Sequence, residues 1–175
     1  SSANAYAAST TQAANSSYIN EVVPSAATGT GGFLASNYDI TYTPSNLAIT
    51  TRPITLVADN RTKVYGDNLS LGTSSFAKTA GTFANSELAT AVTLTSAIGH
   101  AGDVTKVVGT YSSEVVPSSA TGTGGFLASN YDITYTSGSL AITQKALTIT
   151  SNDQTTTYGT ALALGTSRFT SLGLI

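Results

Sequence analysis

The chain has 175 residues, only 9% of them charged, a formal net charge of −2, and no Cys, Met or Trp. That balance gives no basic footprint for nucleic acid or for insertion at an anionic membrane, and the missing Cys excludes disulfides, thiol catalysis and thiolate metal sites. Polar character rests on Ser, Thr and Asn, a composition suited to strands.

Residues 1–17, SSANAYAASTTQAANSS, are small and polar with no clear period. They tolerate a helix, but an extended segment is equally compatible. They lack the basic and apolar regions of a signal peptide, so for an exported protein the signal is expected outside this segment. No apolar run reaches the roughly 18 residues of a membrane-spanning helix.

The stretch Glu21–Thr43, EVVPSAATGTGGFLASNYDITYT, recurs as Glu114–Thr136, and the two copies differ only at Ala26 and Ser119. The constant offset of 93, from Glu21 to Glu114, also aligns Tyr18 with Tyr111. A long, well-kept period signals tandem structural units. It argues against an enzyme, because an active site is rarely duplicated almost letter for letter along one chain.

Glu21–Pro24 reads as a strand end. Residues 26–36 form a Gly-rich loop in which Gly29, Gly31 and Gly32 permit positive φ. No Lys follows and no helix opens after it, so it does not read as a phosphate cradle. Phe33 and Leu34 are expected to plug into the core beneath it. Asn37–Thr43 is the clearest strand, with Tyr38, Ile40 and Tyr42 on one face and Asp39, Thr41 and Thr43 on the other. The turn at residues 44–46, PSN, predicts a hairpin with Leu47–Ile49, and Ser137-Gly138-Ser139 is the matching turn in the second copy.

Next, Ile54 and Leu56 alternate with Thr55 and Val57, and Leu147 and Ile149 match them 93 residues on. Tyr65-Gly66 and Tyr158-Gly159 each close a short strand. Leu88, Val92 and Leu94 line a strand face around AVTLTSA. No apolar stripe of 3.6-residue period appears. Short strands separated by turn signals give an all-β class, organised as tandem β-sandwich-like repeat units of about 93 residues. The boundaries follow from the offset: residues 1–52 are the C-terminal part of a preceding unit, 53–143 one complete unit, and 144–175 the N-terminal part of a following unit.

Three signatures stand together: a KALTIT-like strand followed by NDQTTTYG, the loop SSATGTGGFLASNYDITY, and the closing GSLAITQKALTIT. In this the chain resembles the MBG family of bacterial surface repeats, mostly β and glycine-rich, of the YGX type. The resemblance covers about residues 18–175, with an inserted GGFL in the Gly-rich loop as a departure. It implies tandem modules of filamentous-haemagglutinin-like adhesins and other exported proteins of Gram-negative bacteria, hence an extracellular or cell-surface location. It carries no catalytic residue onto this chain.

The remaining chemistry is sparse. His100 is the only histidine, has only Asp103 nearby, and reads as a solvated turn residue. Isolated aspartates such as Asp39 and Asp132 do not supply the clustered oxygens that calcium needs. Crosslinking through Lys63, Lys78, Lys106 or Lys145 would require a buried lysine, asparagine and acid together, which nothing in the sequence brings about. No catalytic, cofactor-binding or metal-ligating residue is expected, and no cofactor. The expected role is a structural segment of an extracellular stalk or filament that assembles head to tail, with neighbouring copies or adjacent units as partners. The alternative is an adhesive module that binds glycan or a host or abiotic surface through the loop and tyrosines. The candidate contact residues are Tyr38, Tyr42, Tyr131, Tyr135, Leu147 and Ile149. Leu147 and Ile149 are expected in a sheet beside a copy of the Tyr38–Ile49 hairpin from another segment.

Overall fold

A computed structural model describes residues 1–175 and is all-β, with three single-turn 3-10 helices as the only helical pieces. Strands β1 (Ser16–Val22) and β2 (Ser45–Ile49) form an antiparallel pair. The strands that follow are β3 (Arg52–Ala58), β4 (Arg61–Val64), β5 (Phe76–Gly81), β6 (Leu88–Ser96), β7 (Gly109–Thr123), β8 (Tyr131–Thr136) and β9 (Gly138–Thr143). They build a three-stranded sheet, β5-β3-β8, and a four-stranded sheet, β4-β9-β7-β6. A last antiparallel pair joins β10 (Thr148–Ser151) to β11 (Phe169–Leu172).

The period-two pattern decides what is buried. Ile54, Leu56 and Ala58 of β3 point into the sandwich, as do Val92 and Leu94 of β6 and Leu140 and Ile142 of β9. Leu56 and Leu140 are wholly closed to solvent, and burying side chains of this size stabilises by about 1.5–3 kcal/mol each. On β8, Tyr131 is buried and Ile133 and Tyr135 half-buried, while Asp132, Thr134 and Thr136 face outward, as their alternation predicts.

The expected hairpin does not form. β8 pairs in parallel with β3 in one sheet, whereas β9 pairs in parallel with β4 and antiparallel with β7 in the other. Ser137 alone separates β8 from β9, so the chain bends from one sheet into the other instead of reversing. The segment β3–β4 makes the same crossing alongside it. Gly138 sits at the crossing because a Cβ there would lie 2.6 Å from the Asp59 carbonyl oxygen and 2.7 Å from that of Ala58. A two-fold sequence period reports which side chains share a face but is silent on which strand lies alongside.

The first copy behaves differently from the second. Residues 38–44 adopt no strand, although they spell the same YDIT as β8. A lone strand has no ladder partner to satisfy its peptide groups, and here no β3-like strand lies beside it. Phe33, expected in the core beneath its loop, is only half-buried and Leu34 is exposed at 60%, whereas in the second copy Phe126 is buried and Leu127 exposed at 57%. Tyr158-Gly159 closes no strand, and Tyr158 is fully exposed. No helix is long and apolar enough to cross a membrane.

Candidate assembly and junction surfaces

One polar site is a loop folded over a buried glutamate. Glu114 on β7 is 2% exposed. Its Oε1 accepts from the Ser96 hydroxyl and, at 3.0 Å, from the His100 N–H. The Ser96 hydroxyl in turn accepts from the Ala101 N–H at 3.0 Å, and the Ala97 N–H donates to the Glu114 carbonyl at 2.8 Å. The same arrangement recurs around Glu21. Its carboxylate accepts from the Ser2 hydroxyl, from the Tyr6 N–H at 2.8 Å and from the Asn4 N–H at 3.0 Å. The Ala3 N–H donates to the Glu21 carbonyl at 2.9 Å. Burial opposes ionisation of Glu21, but the donors from Ser2, Tyr6 and Asn4 outweigh it and hold its carboxyl below its ordinary 4.5.

Residues 1–8 are therefore neither helix nor featureless coil. Ser2-Ala3-Asn4-Ala5-Tyr6-Ala7 reproduces Ser96-Ala97-Ile98-Gly99-His100-Ala101, including the left-handed residue at Ala5 (φ 63°) and Gly99 (φ 84°). Their spacing is 94, not 93, so a search at constant offset misses the match. A one-residue gap before Tyr18 would have found it.

His100 is not a solvated turn residue: it is 7% exposed. Its ring lies 4.4 Å from that of Tyr111, the place that Tyr6 takes over Tyr18 at 4.5 Å in the first segment. Its Nδ1 faces Glu114 Oε2 at 3.5 Å. Lys63 on β4 is also buried, and its ammonium donates to the carbonyls of His100 (2.6 Å), Ala101 (3.1 Å) and Asp103 (2.7 Å). A strand lysine thus ties down the carbonyls of a loop that a glutamate holds by its N–H groups. Each charge is compensated by directed hydrogen bonds, the condition for keeping it out of water. The lysine meets backbone carbonyls, so it is a brace and not half of a crosslink.

The four tyrosines divide by copy. Tyr131 is closed to solvent, its ring stacked on Phe126 and edge-on to Phe83. Its hydroxyl donates to Glu87 Oε2 at 2.6 Å and accepts from the Ala84 N–H at 3.0 Å. Burial, and next the hydrogen bond to Glu87, push the Tyr131 hydroxyl above its ordinary 10.0. The Tyr135 hydroxyl accepts from the Ala120 N–H at 2.8 Å. This pair belongs to the core and offers no aromatic platform. Tyr38 and Tyr42 keep the same local contacts: Tyr38 stacks on Phe33 at 5.1 Å, and Tyr42 accepts from the Ala27 N–H at 2.8 Å. They remain 60% and 39% exposed, because no opposing sheet covers them.

Leu147 and Ile149 lie in the segment 147–151, which repeats residues 54–58 of β3. β10 pairs with β11 of its own chain, from Thr148 with Leu172 to Ser151 with Phe169. The edge of the segment away from β11 is therefore the one on which β3 carries β8, the counterpart of residues 38–43. Both residues stay exposed, Leu147 at 47% and Ile149 at 62%, and Leu147 borders a cleft with Tyr65, Lys145 and Ile175.

The other organising feature is the junction between the β1–β2 pair and the sandwich. Only Thr50 and Thr51 separate β2 from β3. Two hydrogen bonds cross it: Asn85 Nδ2 to the Thr10 carbonyl at 2.7 Å, and the Ala14 N–H to Asn130 Oδ1 at 3.1 Å. Beneath them lies a cleft of about 450 Å³ with Glu87, Arg52 and Leu127 in its lining. Sequence reading missed Glu87, Glu114 and Lys63. Their signal is that charges are scarce in this chain, so each one kept inside a strand-rich stretch must have partners.

Among known families, the MBG domain (YGX type) matches residues 54–141, half of the chain. No curated protein and no solved structure matches.

Proposed function

We propose, since this chain belongs to the MBG domain family of the YGX type, that it is a mechanical spacer in a bacterial surface stalk, its units following one another head to tail. The family is one of adhesin-type surface repeats. In this reading residues 1–52 close one unit, 53–143 form the next and 144–175 open a third. Pairing registers support it. Ser16 with Ile49 and Tyr18 with Leu47 repeat as Gly109 with Ile142 and Tyr111 with Leu140. Ile149 with Ser171 repeats Leu56 with Lys78.

The observation that carries the reading is the junction. A two-residue link with hydrogen bonds on its flank leaves little freedom between successive bodies, whereas flexible linkers behave as random coils. Units that contact mainly their neighbours lengthen a rod without needing a larger core. The test is ¹⁵N relaxation on the full chain. A stiff stalk requires β1–β2 to share the rotational correlation time of β3–β9. Separate, faster tumbling of β1–β2 would sink the reading.

A further inference from the structure

We infer that the cleft at the junction is a binding site for a neutral saccharide of one or two sugar rings. The cleft is lined from both sides of the junction, so the inference rests on the same fixed junction as the spacer reading, but not on a mechanical role. It begins with Glu87, which is 7% exposed and lines the cleft. One carboxylate oxygen accepts from Tyr131; the other accepts no hydrogen bond from the chain, although the residue is held in place by its neighbours. That second oxygen opens to the cleft, where a ligand hydroxyl can reach it.

Other groups around it are also half-used. Asn85 spends its Nδ2 on Thr10, which leaves its Oδ1 as an acceptor. Asn130 spends its Oδ1 on Ala14, which leaves its amide N–H groups as donors. Arg52 uses Nη1 on Thr82 and keeps further guanidinium donors at the rim. Donors and acceptors are thus interleaved around one cleft, with one acid and one base and no net charge. A hydroxyl both donates and accepts, so a polyol matches this lining where a simple anion or cation matches half of it. Leu127 and Ile49 supply apolar wall for the C–H face of a sugar ring. The volume, about 450 Å³, lies within the roughly 300–1,000 Å³ of small-molecule sites.

The experiment uses the ¹⁵N-labelled full chain and a panel of glucose, galactose, N-acetylglucosamine, maltose and lactose, followed by amide chemical shifts. At least one sugar is expected to shift Asn85, Glu87, Asn130 and Thr10 together. Glu87→Gln keeps an acceptor for Tyr131 but turns the free oxygen into a donor, and it should weaken that binding about tenfold, equivalent to about 1.4 kcal/mol. If that variant does not fold, Arg52→Ala, at an exposed position, should weaken binding with the fold intact. The proposal is overturned if no sugar shifts these amides, if shifts fall on Tyr38 and Tyr42 instead, or if only a charged probe such as N-acetylneuraminate or glycine binds. It is overturned equally if the folded variants bind as tightly as the parent chain.

Discussion

Replacing Glu114 separates two accounts of the buried loop: hydrogen-bond anchor, or burial of an expensive charge. In Glu114→Ala the His100 N–H loses its acceptor at 3.0 Å, inside a site 7% exposed, and the Ser96 hydroxyl loses its own. Each stranded buried donor costs about 1–3 kcal/mol. Ser96 is half-buried and can turn toward water, so its loss counts at the low end. Truncating the side chain also leaves a small cavity, which adds to the cost. Against this, removing a buried carboxylate relieves its desolvation, which reduces the total. The balance is a loss of about 3 kcal/mol, set by the unpaired donors. Glu114→Gln keeps an oxygen for both donors and should cost under about 1 kcal/mol. Urea denaturation of the full chain reads both, with amide exchange at His100 and Ala101 localising the effect. If the two variants are equally stable, or if alanine is the more stable, the loop is not anchored in this way and the argument fails.

Three further outcomes follow from the same contacts. Ile133→Asn puts a polar group against the core and should cost about 2 kcal/mol, while Ser119→Ala should cost almost nothing because Ala26 holds the same positive φ in the first copy; indistinguishable thermal melts would remove β8 from the core. Glu21 has a depressed pKa when folded, so its contribution is fully present above its ordinary 4.5 and is lost as pH falls through the folded value; the Tyr6 amide should lose exchange protection on acidification, and protection unchanged down to pH 2 would contradict the assignment. Tyr131 has a raised pKa when folded, so its contribution is present below 10.0 and is lost as pH rises past it. In an ultraviolet titration its phenol should ionise above 10.0, and Tyr131→Phe should delete that late step.

Sequence alone determined what repeats locally. Alternation placed Ile54 and Leu56, Val92 and Leu94, and Tyr131, Ile133 and Tyr135 on their buried faces, because a strand turns successive side chains to opposite sides whatever its neighbour. It also pointed to the MBG domain family of the YGX type. Tertiary structure decided the rest. YDIT is a strand at β8 and irregular at residues 38–44, because a strand exists only with a ladder partner, and β3 lies beside only one of the two copies. The bend at Gly138 in place of a hairpin depends on the carbonyls of Asp59 and Ala58, nearly eighty residues earlier in the chain. The burial of His100, Lys63 and Glu114 depends on three separate elements meeting at one loop. Periodicity is a local property of the chain, whereas partners for strands and for buried charges are supplied by residues that only folding brings near.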